Sequence, residues 1–288
     1  MLKGASLPVT QLNVGFADNE RYRQAALAGQ PQAFRSDHFL RAGFIQREGD
    51  RVDAMYIVQE GEIDLSLKGS HLLATLEKGS SFGEQAVVGT KYRMATATAK
   101  TDSVCLEIPA DWLGRQISSA PPLLKHVFSA LTLQLLQRNY IASLASTEAS
   151  QGAFHIESGG ASEQAWTTFS RGSTLNSVYF SDGGAIQNHI LAGRAIIVSS
   201  GKLELRRGSV RCSMGEGAVI GLAEVLARVP LDDAVDVVSS VNAWSIDGDA
   251  AYAMVSKLNK GLYGVVKGFV GRVLGDGKPL GRMAQAPK

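Results

Sequence analysis

The run Phe82-Gly83-Glu84-Gln85-Ala86, followed by Arg93-Met94-Ala95-Thr96, holds the residues of this chain best suited to chemistry. A glycine opens a short helical turn, a carboxylate follows at once, and an arginine stands ten positions after the glycine. The start of a helix turns unpaired N–H groups and the positive end of its dipole outward, which favours an anion. A guanidinium arriving on the next strand brings a planar fork of donors to the same anion. Ionised Glu84 only accepts hydrogen bonds, so it suits a hydroxyl beside the anion rather than the anion itself. Gly83 lets the backbone come close with no Cβ in the way. A phosphate next to a sugar hydroxyl satisfies all of these groups.

The run resembles the phosphate-binding cassette of cyclic nucleotide-binding domains, which reads F-G-E-x-A and, several residues later, R-x-A-T. The likeness extends upstream through Phe44-Ile45-Gln46-Arg47-Glu48-Gly49-Asp50, Asp53 to Ile63 and Leu73 to Gly79, and covers roughly Asp37 to Arg138. By this resemblance the N–H groups of Gln85 and Ala86 face phosphate oxygens and Arg93 clamps an exocyclic oxygen. Glu84 accepts from the ribose 2′-hydroxyl, and Ala95 and Thr96 form the strand beneath the phosphate. Two departures stand out. Tyr92 replaces a proline often found before the arginine, and Met94 stands where cGMP-selective members tend to carry a threonine. Methionine lacks a strong donor or acceptor for a guanine, which favours cAMP over cGMP. Gln134, Arg138 and Tyr140, on the helix that follows, are the candidates for covering the base, and the sequence does not choose among them.

Several elements must position these residues. Residues 1–32 read as an entry segment with one short helix, about Asn19 to Ala28, capped by Asp18. From Ala33 to Ile108, short β-type runs are split by glycines at 43, 49, 61, 69, 79 and 89, the punctuation of a jelly-roll barrel. Pro121-Pro122 starts a helix. It carries two offset apolar stripes, one of Leu124, Val127, Phe128, Leu131 and Leu135, the other of Leu133, Leu136, Tyr140 and Leu144. A helix apolar on two sides packs on its own barrel and on something else.

Residues 143–165, rich in Ser, Ala and Gly, read as a linker, after which the pattern of residues 33–142 returns over 166–275 at an offset of 138 to 140. The expected fold is mainly β with flanking helices: two tandem double-stranded β-helix barrels. The second copy lacks the chemistry, with Leu222 in the place of Glu84, Leu231 in the place of Arg93, and Asp232 and Asp233 directly after. The last helix, about Ala251 to Leu274, carries a glycine stripe that fits close packing on its own barrel, a helix–helix seam or a broken helix alike. A basic tail, 276–288, closes the chain.

The formal charge of +2 argues for neither nucleic acid nor membrane. No apolar run approaches the ~20 residues that span a bilayer, and the first residues lack the continuous apolar core of a secretory signal. Cys105 and Cys212 read as reduced, buried thiols, so a cytoplasmic address is expected. No histidine pair has metal-ligand spacing and no serine sits in a nucleophile motif. Neither a metal, a cofactor nor a catalytic residue is expected. The place where related regulators carry a helix-turn-helix holds the linker and second copy. The expected function is a cyclic nucleotide sensor or adaptor, signalling by conformational change to a protein partner or a second copy of itself. The alternative is a ligand-independent interaction scaffold.

Overall fold

The computed structural model describes residues 35–67, 71–83, 92–146, 150–156, 161–170 and 175–274. The entry helix, Glu84, Gln85, Ala86 and the basic tail lie outside them.

Eight strands come first: β1 (Arg35–Phe39), β2 (Phe44–Gln46), β3 (Ala54–Glu60), β4 (Ile63–Leu67), β5 (His71–Leu76), β6 (Ser81–Phe82), β7 (Thr96–Ala99) and β8 (Ser103–Pro109). They form two four-stranded antiparallel sheets, ordered β1-β8-β3-β6 and β2-β7-β4-β5. Side chains alternate across each strand. Tyr56 and Val58 of one sheet therefore share a core with Ile63, Leu65, Leu76, Ala97 and Ala99 of the other.

Two helices follow, α1 (Ala110–Ser118) and α2 (Pro122–Ser146). The sequence reading did not single out α1, which Asp111 opens by pairing with Arg115 one turn on, at 2.8 Å. The two stripes of α2 are buried as expected: Val127, Phe128, Leu131 and Leu133 are fully enclosed.

The C-terminal half adds β9 (Gln151–Phe154), α3 (Ala161–Ser170), β10 (Asn176–Phe180), α4 (Ile186–Leu191), β11 (Arg194–Arg207), β12 (Val210–Met214), β13 (Val219–Ile220), α5 (Leu222–Ala227), β14 (Ala234–Asp247), α6 (Gly248–Val255) and α7 (Lys260–Leu274). One six-stranded sheet runs β10-β14-β11-β12-β9, with β13 beside β11. Two boundaries differ from the sequence reading. The stretch read as a linker supplies β9, which pairs in parallel with β12, and the first half of α3, which packs on α2. The last helix is broken at 256–259. Ser256 caps α6, and the Asn259 side chain accepts from the Leu262 N–H at 3.0 Å to begin α7.

The element bounds repeat along the chain. β11 spans positions 140 beyond the start of β3 and the end of β4, and β13 stands 138 beyond β6. Gly61, Gly79 and Gly83, with φ of 82°, 89° and 74°, have counterparts in Gly201, Gly217 and Gly221 at 99°, 79° and 82°. Val58 N–H donates to Ser80 O and Gly79 N–H to Val58 O, each at 2.9 Å or less. Val198, Ala218 and Gly217 repeat both bonds.

Where α2 meets α3, His126 is buried against Phe169, ring centres 5.0 Å apart. Its Nδ1 has no partner among the described residues. Burial holds its pKa below the ordinary 6.5. The unfolded chain then takes up the proton first, so stability is complete above pH 6.5 and drains as pH falls below it towards the lowered folded value. His126→Phe is expected to flatten that acid-side loss. Urea midpoints on either side of pH 6.5 check it, and parallel wild-type and variant curves refute it.

Candidate functional site

Gly83 closes the short strand β6 in a left-handed conformation, φ 74°, that a residue with a Cβ adopts only under strain. A Cβ there would also stand 2.5 Å from Arg93 Nη1 and 3.1 Å from Gln46 Oε1. Both reasons require glycine.

The turn at Gly49-Asp50 fixes the backbone of Arg93. Arg93 N–H donates to Asp50 O at 2.7 Å, and Gly49 N–H donates to Arg93 O at 2.9 Å. The side chain is 2% exposed and turns inward. Nη2 pairs with Asp53 Oδ1 at 2.8 Å, Nη1 reaches the Gly83 carbonyl at 3.5 Å, and Cζ stands 5.8 Å from the centre of the Tyr56 ring. Tyr56 stacks in turn on Phe82, ring centres 5.2 Å apart. Its phenol is pushed up to about 12, first by burial and then by the nearby Glu107 and Asp53 carboxylates, so it stays neutral. Asp53 is 79% exposed. The guanidinium is thus held by an ion pair with a carboxylate that keeps its water and by an aromatic face, which lets a cation stay buried.

Gln46 completes this cluster. It is 6% exposed, its Nε2 donates to Ala95 O at 3.1 Å, and its Oε1 has no partner among the described residues. Neither Gln46 nor Asp53 was given a role from sequence. The signal for Asp53 was an acid at the head of an apolar strand, a counter-ion that any buried arginine requires.

The remaining sequence candidates separate. Gly83 and Arg93 are brought together. Glu84, Gln85 and Ala86 lie outside the described residues. Ala95 is buried in the bend just before β7, not in the strand itself. Thr96 Oγ1 is occupied in accepting from the Glu48 N–H at 3.1 Å. Met94 packs against the core of the C-terminal half rather than beside Gly83.

The three candidates for covering the base also face the C-terminal half in this structure. Gln134 Oε1 accepts from the Ala223 N–H and its Nε2 donates to Glu224 Oε2, both at 2.9 Å. Tyr140 packs on Phe154 and its hydroxyl accepts from the Ala153 N–H at 3.2 Å. Arg138 lines a cavity of about 20 Å³ with Gln134, Gln137, Arg207, Glu224 and Asp233. The reason is the double-sided apolar surface of α2, which buries this stretch of the helix against α5 and β13.

At the position equivalent to the Gly83 turn, the C-terminal half keeps the backbone and loses the charge. Gly221 has the same left-handed φ, Leu222 is fully buried, and Leu231 packs into the apolar core. Ala223, the counterpart of Gln85, gives its N–H to Gln134. Gln137 grips Val219 from both sides, donating to its carbonyl and accepting from its N–H at 3.1 Å each. Arg207 is committed to Asp233 by a two-pronged ion pair. Burial raises the Glu224 pKa, and the Gln134 hydrogen bond opposes that rise.

Among the described residues no cluster of His, Cys, Asp and Glu is arranged to hold a metal, and no helix is long and apolar enough to cross a membrane. Cys105 and Cys212 are buried and unpaired with one another.

Comparison with known proteins agrees with the sequence resemblance. Residues 37–119 match the family model described as the cyclic nucleotide-binding domain. A cGMP-dependent protein kinase of Eimeria tenella is 33% identical over 105 residues, which are 36% of this chain and 10% of the kinase. A cAMP-dependent protein kinase regulatory subunit of Yarrowia lipolytica is 38% identical over 81 residues, 28% of this chain and 21% of the subunit. The chain therefore spans about a tenth to a fifth of the length of these curated relatives. Among solved structures, cAMP-bound PfPKA-R (141–441) aligns over 84% of this chain and 81% of its own, at 16% identity and a TM-score of 0.33.

Proposed function

We propose that the chain binds one cyclic nucleotide, cAMP in preference to cGMP, in its N-terminal half, and passes the binding event to a protein partner or a second copy of itself. The observation that carries this is the buried Arg93 guanidinium, reaching the Gly83 turn with one nitrogen and paired with Asp53 through the other. A desolvated cation beside a left-handed glycine turn is a seat for an anion, and the family match over residues 37–119 supports a cyclic nucleotide as that anion. Gly83 and Arg93 hold the phosphate, and Glu84, Gln85 and Ala86 complete the cassette. The preference for cAMP rests on Met94, which offers a guanine no hydrogen bond wherever its side chain turns.

The repeat of strand bounds and left-handed glycines supports reading the molecule as tandem barrels. The second is a non-binding copy whose turn is occupied by Gln134. The reading assigns the chain no catalytic, DNA-binding or membrane role, and the two buried thiols suit a reducing, cytoplasmic setting.

Titration calorimetry of the full chain with cAMP and with cGMP tests it. The expected result is saturable heat at one nucleotide per chain, with cAMP tighter. No heat with either nucleotide refutes binding. Two nucleotides per chain refutes the non-binding second copy.

A further inference from the structure

Both sides of the Gly83–Arg93 clamp are seated on the C-terminal half of the molecule. On one side, Ser81 of β6 stands two residues before Gly83. Its hydroxyl is buried, has no hydrogen-bond partner among the described residues, and lies against the bare backbone of Gly268 on α7. A Cβ on Gly268 would overlap the Ser81 oxygen, whereas one on Gly264, a turn earlier, would meet nothing within 4 Å. Any larger residue at 268 must therefore displace Ser81, at a place where α7 meets the clamp strand. On the other side, Met94 directly follows Arg93. Its side chain packs against the core that Leu136 and Ile141 of α2 share with Ile196 and Ile220 of the C-terminal sheet. Between these two contacts, α7 lies against α2 and α5.

The clamp's opening is the distance between a residue tied to Ser81 and a residue tied to Met94. Strand β6 is only two residues long, so it has no length over which to absorb a shift at its far end. Interiors pack like crystals and transmit displacements rather than dissipating them. We propose that the C-terminal half, which carries no clamp of its own, sets the spacing of the first one: Gly268 and Met94 are positioning residues for nucleotide binding. This rests on the reading of the clamp as a nucleotide site and adds its regulation. A partner that draws on α7 would change nucleotide affinity, and nucleotide would change the hold on α7 by the same factor, because binding free energies are reciprocal.

The test uses the full chain and cAMP. Gly268→Leu should weaken binding by about 5–150-fold, the usual span for coupled sites. Met94→Ala should weaken it in the same direction, and Met94→Leu, of similar volume, should restore it. In the wild type, cAMP should slow amide exchange across α7, which it does not touch. This measurement also decides the matter if Gly268→Leu does not fold. Wild-type cAMP binding with unchanged affinity in Met94→Ala and unchanged exchange in α7 overturns the positioning role and leaves the nucleotide site standing. No wild-type binding overturns both.

Discussion

Arg93→Ala is expected to lose cAMP affinity by two to four orders of magnitude while the chain stays folded. Each charge-assisted hydrogen bond from a guanidinium is worth roughly 1.5–3 kcal/mol. Loss of a two-pronged contact therefore corresponds to about 10²–10⁴ in Kd. The fold tolerates the change because of how Asp53 is placed. A carboxylate left behind in a dry interior would cost several kcal/mol, but Asp53 is 79% exposed and water replaces the lost partner. Arg93→Lys keeps the charge and surrenders the planar fork, so it should fall between wild type and alanine. Calorimetry gives the affinities and circular dichroism the fold. An isotherm unchanged in Arg93→Ala would place the nucleotide elsewhere.

The second large effect concerns the other half. Gln134→Met keeps the volume of the side chain and removes its amide, so the Ala223 N–H and the Glu224 carboxylate lose their partner together. Each buried group left unsatisfied costs about 1–3 kcal/mol, for a combined loss of roughly 2–5 kcal/mol in urea unfolding. Glu224 carries its share because it is 6% exposed and burial already raises its pKa. Adding Glu224→Leu removes the carboxylate as well, and the double variant should recover that share while the Ala223 N–H stays orphaned. A midpoint equal to wild type in Gln134→Met would mean that the glutamine contributes nothing to holding α2 against α5.

The clamp was legible in the sequence because it is made of backbone devices with few spellings. A turn at φ 74° with an arginine pressed against it accepts glycine alone, and the strand after it must return the arginine to that turn. The recurrence of turns was legible for the same reason, since left-handed glycines at Gly61, Gly79 and Gly83 have counterparts in Gly201, Gly217 and Gly221. Direction was not legible. Gln134, Arg138 and Tyr140 lie on a helix apolar on two sides, and periodicity says that such a helix is buried without saying which neighbour receives which polar residue. Met94 was given its place by the resemblance, at the position where cGMP-selective members carry a threonine, and the resemblance does not say that its side chain packs against the C-terminal core. Asp53 and Gln46 went without a role because a single acid or amide near a turn has many ordinary explanations. β9 was hidden by its composition: Gln-Gly-Ala-Phe has one large apolar residue and reads as connector.

That four-residue strand separates the boundary of the repeat from the boundary of the fold. The sequence pattern was read as restarting near residue 166, but Gln151–Phe154 lies beside β12 and closes its outer hydrogen-bonding edge. A fragment begun at the repeat boundary would expose a raw edge along Arg211–Met214, a template for aggregation. Anyone dividing this molecule for separate expression should therefore cut ahead of Ser150, so that the trailing piece keeps its own selvedge.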